Sequence, residues 1–179
     1  EYLDFTNNHT ALVHGNAFPP VLNAARQQMD QGLCFGTPTP LQGQAARLLV
    51  ERIPALELVR FCASGTEATM HATRVARAFT GRPLIAKAEG AYHGSQDDMF
   101  ISTHPSRETA GPADHPLPTP RCHGLGRSSI TDTAVLPFND PAGAARLIRS
   151  AGDDLAAVFV EPVMGSAGMI PADRAYLLA

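Results

Sequence analysis

The sequence predicts an α/β fold in which a mostly parallel sheet is flanked by helices. Apolar runs at 58–63, 84–88 and 155–160 have the length and composition of buried strands. Helical patterns lie between them: residues 66–79 follow the first run, and residues 141–151 precede the last. Strands that alternate with helices are joined by crossovers, which place the strands parallel and the helices over the sheet.

Shorter signals assign the remaining elements in chain order. Residues 2–5 alternate between polar and apolar side chains, which predicts a short strand. Two prolines open a helix over about 21–31, and Gly32 ends it. A second helix is predicted over about 41–52, after a loop that is rich in glycine and proline. A short strand is expected near 133–136.

The segment 103–128 is rich in proline, glycine, serine and histidine and has no periodicity. A stretch of this length predicts either a functional loop or a poorly ordered one. Three possible metal ligands, His115, Cys122 and His123, fall in it without the spacing of a metal site, so we expect no bound metal.

Composition narrows the classes of function. The net charge is −3, which gives no reason to expect a nucleic-acid partner. Three cysteines form no disulfide pattern, and a reducing cytoplasm is expected. No apolar run is long enough to cross a membrane, and no signal peptide is recognisable. The chain opens in a strand pattern without methionine and stops in an uncapped helical pattern, so we expect a piece of a longer protein.

The turn between the apolar run at 58–63 and the following helix has the features of an anion site. Ser64 and Glu67 have capping-box spacing, which sets the start of the helix. The first N–H groups of a helix lack partners and carry partial positive charge. Gly65 permits close approach of a phosphate, and Thr66 adds a second hydroxyl. An ordinary turn with a capping box is the alternative interpretation.

Polar groups follow three of the predicted strands. They are the segment 64–66, the segment 89–94 with an aromatic ring and an imidazole, and the carboxylate of Glu161. In open α/β sheets ligands bind beyond the carboxyl ends of the strands. The three segments therefore predict a binding site on one rim of the sheet.

Six ordered motifs carry a resemblance to a known family. They are HGNAFP at 14–19, FGTPT at 35–39, VRFCASGTEA at 59–68, KAEGAYHG at 87–94, PFND at 137–140 and VEPVMG at 160–165. In these residues the chain resembles the class III (ω-type) aminotransferases, and most closely the glutamate-1-semialdehyde aminomutases and β-amino-acid aminotransferases. The resemblance implies the type I fold and the cofactor pyridoxal 5′-phosphate.

The resemblance also implies a set of cofactor-binding residues: Ser64, Gly65, Thr66, Tyr92, His93, Glu161 and Ser166. The first three would hold the phosphate through N–H and hydroxyl groups. The ring of Tyr92 would stack on the pyridine, and His93 would line the site unless it is a histidine packed under the loop. Glu161 would lie at the edge of the cofactor, or else form a structural ion pair.

Two positions after the predicted strand at 155–160 depart from the family pattern. Many relatives have a glutamine where Met164 stands, which bonds the phenolic oxygen of the cofactor. Met164 lacks that chemistry, and the departure favours the aminomutase and β-aminotransferase branch. Ser166 stands where the aminomutases have a polar amide, which makes it a weaker candidate for the same contact.

The chain contains one lysine, Lys87, inside the fourth motif. By resemblance, the lysine that forms a Schiff base with the cofactor lies far downstream, together with the aspartate that pairs with the pyridine nitrogen. The catalytic residue is therefore expected outside this chain. We expect the 179 residues alone to be inactive.

The resemblance predicts both organisation and reaction. Residues 1–40 would form an N-terminal segment whose loop at 35–39 enters the partner's site in a homodimer, and residues 41–179 would begin the large cofactor domain. The expected reaction moves an amino group between an amino acid (a β-amino acid included) or amine and a keto acid or aldehyde. Two alternatives stay open: an aminomutase, racemase or decarboxylase with the same cofactor, and a non-catalytic remnant that binds phosphate or dimerises.

Overall fold

The computed structural model describes residues 2–9 and 11–179. These fall into two compact units, Glu1–Arg60 and Phe61–Ala179. The predicted functional division into 1–40 and 41–179 stays a prediction.

The first unit contains the two predicted helices, α1 (Pro19–Met29) and α2 (Pro40–Arg52). A proline at the first turn sets the start of each helix, because its fixed φ already suits a helix and it has no N–H to leave unpaired. A capping box fixes α2: Thr39 Oγ1 accepts from Gln42 N, and Gln42 Oε1 accepts from Thr39 N. Gly32, with φ of +103°, follows α1 in the left-handed conformation, which favours glycine.

The predicted strand at 2–5 is wrong. Asp4 Oδ1 accepts hydrogen bonds from the N–H groups of Thr6 (2.9 Å) and Asn7 (3.1 Å). An aspartate that bonds the backbone two and three residues ahead bends the chain into a turn. This local bonding outweighs a short alternating pattern.

A three-stranded parallel sheet forms the centre of the second unit. Its strands are β1 (Leu84–Ala88), β2 (Thr133–Leu136) and β3 (Leu155–Phe159), in the spatial order β2-β1-β3. All three were predicted, to within one residue at the end of β3. The predicted parallel sheet is therefore confirmed.

Helices and a small hairpin complete the second unit. Its two long helices confirm the helices predicted over 66–79 and 141–151. The elements are α3 (Gly65–Thr80), α4 (Arg127–Thr131), α5 (Pro141–Ala151), α6 (Arg174–Leu177), short 3₁₀ helices at Asp97–Phe100 and Gly152–Asp154, and the hairpin strands β4 (Val163–Met164) and β5 (Ile170–Pro171).

The predicted buried strand at 58–63 is wrong. Leu58 is 89% exposed and Phe61 43% exposed. A strand exists only where a neighbouring strand pairs with its N–H and C=O groups. Within the described part of the chain this segment belongs to no ladder, so its apolar sequence alone does not make it a strand.

Both faces of β1 are covered, as a parallel sheet requires. Side chains alternate along a strand, so Ala86 and Ala88 face one side and Ile85 and Lys87 the other. Ala86 packs in a buried cluster with residues of β2, α5 and α6, namely Leu136, Ala144 and Tyr176. All four β1 residues from Ile85 to Ala88 are buried.

The irregular segment that follows is tied to the unit over its first part. Ile101 and Pro120 form an antiparallel bridge. The hydroxyl of Ser102, which is 1% exposed, donates to Leu117 O and accepts from Thr119 N. Two interpretations of 103–128 were open, a functional loop and a poorly ordered one. These contacts argue against a poorly ordered loop over residues 103–120. None of the helices in the described residues is long and apolar enough to cross a membrane.

The start of α5 offers a test of the capping that sets this fold. Asp140 Oδ1 accepts from Gly143 N at 3.0 Å, which satisfies an otherwise unpaired helix donor. We expect Asp140→Ala to lower the free energy of unfolding by about 1 kcal/mol. Asp140→Ser, which restores a capping oxygen, is expected to recover most of the loss. Urea unfolding of the full-length protein by circular dichroism measures both, and equal midpoints for the three proteins would contradict the assignment.

Candidate functional site

The N-terminus of α3 lies at the carboxyl rim of the sheet in the second unit. Ser64 is its N-cap: Ser64 Oγ accepts from Glu67 N at 3.1 Å, and Ser64 O accepts from Ala68 N at 3.0 Å. The carboxylate of Glu67 reaches back to Ala63 N (2.6 Å), not to Ser64 N as a capping box requires. The predicted helix start is thus confirmed, with the return bond one residue earlier.

This helix end retains donors. The N–H groups of Gly65 and Thr66 have no partner within the helix, because the first turn of a helix lacks acceptors. Ser64 Oγ and Thr66 Oγ1 each accept a backbone N–H, so each hydroxyl keeps its own proton for donation. A Cβ added to Gly65 would meet no atom within 4 Å, so the space beside it is open. The turn can therefore hold an anion.

The loop after β1 packs directly on this turn. Gly94 has φ of +91°, and a Cβ there would lie 2.7 Å from Thr66 Cα. Thr66 Oγ1 accepts from Ser95 N, and Thr69 Oγ1 donates to His93 O at 2.7 Å. Only glycine fits this close approach. The predicted phosphate turn and the predicted ring-bearing loop therefore lie side by side.

Glu161, just beyond the end of β3, bonds to the backbone of that loop. Its Oε1 accepts from Tyr92 N at 2.6 Å, and its Oε2 accepts from Gly165 N at 3.2 Å. The ion pair considered from sequence is replaced by these two backbone bonds. Glu161 thus joins the end of β3 to the segment after β1 and to the turn of the β4–β5 hairpin.

Tyr92 and His93 differ in exposure. Tyr92 is 45% exposed. His93 is half-buried, its ring lies edge-on to Phe159 with centroids 5.8 Å apart, and its Nε2 is buried without a partner among the described residues. Burial lowers the pKa of His93 to about 4, helped by the charge of Lys87 and opposed by Glu161. The imidazole is therefore neutral at neutral pH.

Ser166, the last of the predicted cofactor-binding residues, is separate from the group formed by 64–66, 92–94 and Glu161. Ser166 is exposed in the turn between β4 and β5. Met164 is 4% exposed and packs against Ala88 and Ala91, so it belongs to the core. The contacts of the described residues join 64–66, 92–94 and Glu161, and they do not include Ser166.

Sequence reasoning gave no role in the site to Lys87. Its side chain is fully buried, and Nζ donates to Ala91 O (2.8 Å), Met99 O (3.3 Å) and Ile101 O (2.5 Å). Burial lowers its pKa to about 8, against the raising effect of Glu161. The sequence did contain a signal for this role, a lysine within the apolar strand LIAKA. A lysine in such a strand is buried, and a buried ammonium needs several hydrogen-bond acceptors from the surrounding chain.

Comparison with known families and curated proteins gives one consistent result. The model of the aminotransferase class-III family matches residues 1–179. Glutamate-1-semialdehyde 2,1-aminomutase from Methanothermobacter thermautotrophicus is 40% identical over 176 residues, which are 98% of this chain and 40% of the relative. The chain therefore spans about 40% of the length of the curated relatives it matches.

Solved structures agree with this result. An omega-transaminase from Sphaerobacter thermophilus is 46% identical with a TM-score of 0.93, over 98% of this chain and 40% of that one. A transaminase with PLP bound is 39% identical with a TM-score of 0.87, over 98% and 39%. The predicted fold class, part of the type I fold of pyridoxal phosphate-dependent transferases, is confirmed.

The state of His93 can be measured directly. We expect its ring protons to titrate with a midpoint near pH 4 in NMR spectra of the full-length protein, assigned with His93→Gln. The midpoint should rise in Lys87→Met and fall in Glu161→Gln, since these charges act in opposite directions. Between about pH 6.5 and 4 the imidazole of residue 93 is protonated more in the unfolded chain than in the folded one. His93 therefore lowers the free energy of unfolding as pH falls through that window. A midpoint at the ordinary 6.5 would contradict the assignment.

Proposed function

The chain belongs to the class-III aminotransferase family, and on that premise we propose that the whole protein is a pyridoxal phosphate-dependent transaminase. It would move an amino group between an amino acid or amine and a keto acid or aldehyde. One observation carries the proposal: the anion-binding turn at 64–66, the ring-bearing loop at 92–94 and Glu161 form one bonded cluster at the rim of the sheet.

The cluster fits the phosphate of the cofactor. Gly65 and Thr66 would donate backbone N–H groups, and Ser64 and Thr66 would donate hydroxyl protons. Each is free to do so within the described structure, and the partial positive charge of the α3 N-terminus favours a dianion. The open space beside Gly65 admits the group without movement of the backbone.

The cluster also fits an aromatic cofactor ring. The half-exposed ring of Tyr92 would stack on it, and the neutral imidazole of His93 would offer its unpartnered Nε2 to the site. Glu161 would act through the backbone of Tyr92 and orient that residue. When bound, the cofactor supplies an electron sink for the carbanion that forms on the substrate.

Lys87 does not fit the role of covalent partner for the cofactor. Its ammonium has no exposed surface and bonds to three carbonyl oxygens. A nucleophilic amine must be accessible and unprotonated when it reacts. We therefore place the attachment lysine in a part of the whole protein outside these 179 residues, and we expect these residues alone to be inactive.

An aminomutase is the second candidate, favoured by the 40% identity to glutamate-1-semialdehyde 2,1-aminomutase. It would use the same cluster and move the amino group within one molecule. The two candidates differ in stoichiometry: a transaminase needs a separate acceptor, and an aminomutase does not.

Assembly and location complete the proposal. A homodimer with shared active sites is supported by the exposed loop at 35–39, where Phe35 is 53% exposed. This loop would reach the partner's site. A cytoplasmic location is supported by the sequence, because its three cysteines lack the paired spacing of a disulfide framework.

Borohydride trapping tests the function. The full-length protein mixed with pyridoxal 5′-phosphate should show a visible absorbance band that borohydride abolishes, with the reduced cofactor on a lysine other than Lys87 by peptide mass mapping. The Lys87→Met protein should still be labelled. Absence of labelling, or labelling at Lys87, would contradict the proposal. Product analysis with and without a keto-acid acceptor separates the two candidates.

Tyr92 offers a graded test of ring stacking. Tyr92→Phe keeps the ring, and we expect its Kd for pyridoxal 5′-phosphate to stay within about twofold of the wild-type value. Tyr92→Ala removes the ring and should raise the Kd about fivefold, since an aromatic pair contributes roughly 1 kcal/mol. Fluorescence titration of the cofactor-free protein measures both, and equal values for Phe and Ala would argue against stacking.

A further inference from the structure

One peptide group of the loop after β1 lies between two opposite charges. The carbonyl oxygen of Ala91 accepts from Lys87 Nζ at 2.8 Å. The N–H of Tyr92, which belongs to the same peptide group, donates to Glu161 Oε1 at 2.6 Å. The negative end of the peptide dipole therefore faces a cation and the positive end faces an anion. Both bonds are charge-assisted, the stronger class of hydrogen bond.

The surroundings strengthen this arrangement. Lys87 and Ala91 have no exposed surface, and Glu161 is half-buried. Lys87 and Glu161 also attract each other, since the carboxylate favours the charged form of the lysine. Charges and dipoles interact more strongly where water is excluded, which applies to the buried bond between Lys87 and Ala91; the bond between Tyr92 and Glu161 is exposed.

Each charged group is anchored independently of the loop. Lys87 Nζ bonds to the carbonyls of Met99 and Ile101 on the segment that covers β1. Glu161 Oε2 accepts from Gly165 N in the β4–β5 turn. Rotation of the peptide group by half a turn would point its oxygen at the carboxylate and its N–H at the ammonium. Both contacts would then be repulsive, so a single orientation is favoured.

We propose that Lys87 and Glu161 are a coupled pair of positioning residues that fix the Ala91–Tyr92 peptide group and so orient Tyr92 and His93. Neither needs to touch the substrate or the cofactor. That the oriented ring faces pyridoxal phosphate rests on the proposed function; that the loop is held by the pair does not.

Hydrogen exchange in the cofactor-free, full-length protein tests the coupling. Exchange of the segment 89–95 is followed by mass spectrometry in Lys87→Met, Glu161→Gln and the double variant. We expect each single variant to accelerate exchange about tenfold or more, as loss of a hydrogen bond to a charged group predicts. The double variant should be no faster than the faster single one, because both substitutions release the same peptide group. Multiplied effects, or no acceleration in Glu161→Gln, would overturn the proposal.

A matched control separates positioning from general stability. Asp140→Ala removes a carboxylate that also bonds a backbone N–H, at the start of α5. It should lower the unfolding midpoint and leave exchange of 89–95 unchanged. Faster exchange of that segment in this control would mean that the loop reports global stability, and the proposal would fail.

A spectroscopic readout covers the case in which Lys87→Met does not fold. With ¹⁵N-labelled tyrosine, the Tyr92 amide proton should resonate downfield in the wild type and move upfield in Glu161→Gln. In wild-type protein it should also move upfield as the pH is raised past about 8, where Lys87 loses its charge. An amide shift that is insensitive to both changes would overturn the pairing.

The proposed function is judged separately. Pyridoxal 5′-phosphate titration of the wild type decides whether the cofactor binds at all, and its failure leaves the exchange result standing. If the wild type binds, Glu161→Gln should weaken binding about tenfold while Asp140→Ala binds normally. Equal binding by these two variants would contradict the part of the proposal that concerns the orientation of Tyr92.

Discussion

A buried ammonium in the central strand of the sheet constrains the second unit more than any other group. Lys87 has no exposed surface, and an unpaired charge in such a position would cost many kcal/mol. The chain meets this constraint by folding back after β1, so that Ala91, Met99 and Ile101 present their carbonyl oxygens to one nitrogen. The segment that covers this face of the sheet and the loop that bears the ring are therefore organised by the same side chain.

The parallel sheet brings the loop after β1 together with the other segments of the candidate site. Because β1 and β3 are parallel neighbours, their carboxyl ends lie at one edge, and Glu161 reaches Tyr92 across 69 residues of sequence. Gly94 then allows the loop to lie against Thr66 at the start of α3. Three segments far apart in sequence are brought together by one sheet edge, one carboxylate and one glycine.

Local patterns allowed most of the second unit to be predicted from the sequence. The strand LIAKA and the helix from Pro141 were recognisable because their apolar spacing and proline start act over a few residues. The predicted strand at 58–63 was wrong because a strand depends on a pairing partner that the local sequence does not reveal. The motifs grouped Ser64, Gly65, Thr66, Tyr92 and His93, and the structure brings the two segments that carry them into contact, while their role toward a cofactor stays a prediction. The bonds of Lys87 and of Glu161 to one peptide group depend on tertiary contacts and could not be predicted.

Concealment of Lys87 has a chemical consequence for the whole surface. The chain has 14 basic residues of the lysine and arginine types, and Lys87 is its single lysine, so every exposed cation among them is a guanidinium. Guanidinium groups stay protonated and are poor nucleophiles at neutral pH. Aldehydes, acylating agents and amine-directed cross-linkers therefore find no accessible lysine side chain over these 179 residues.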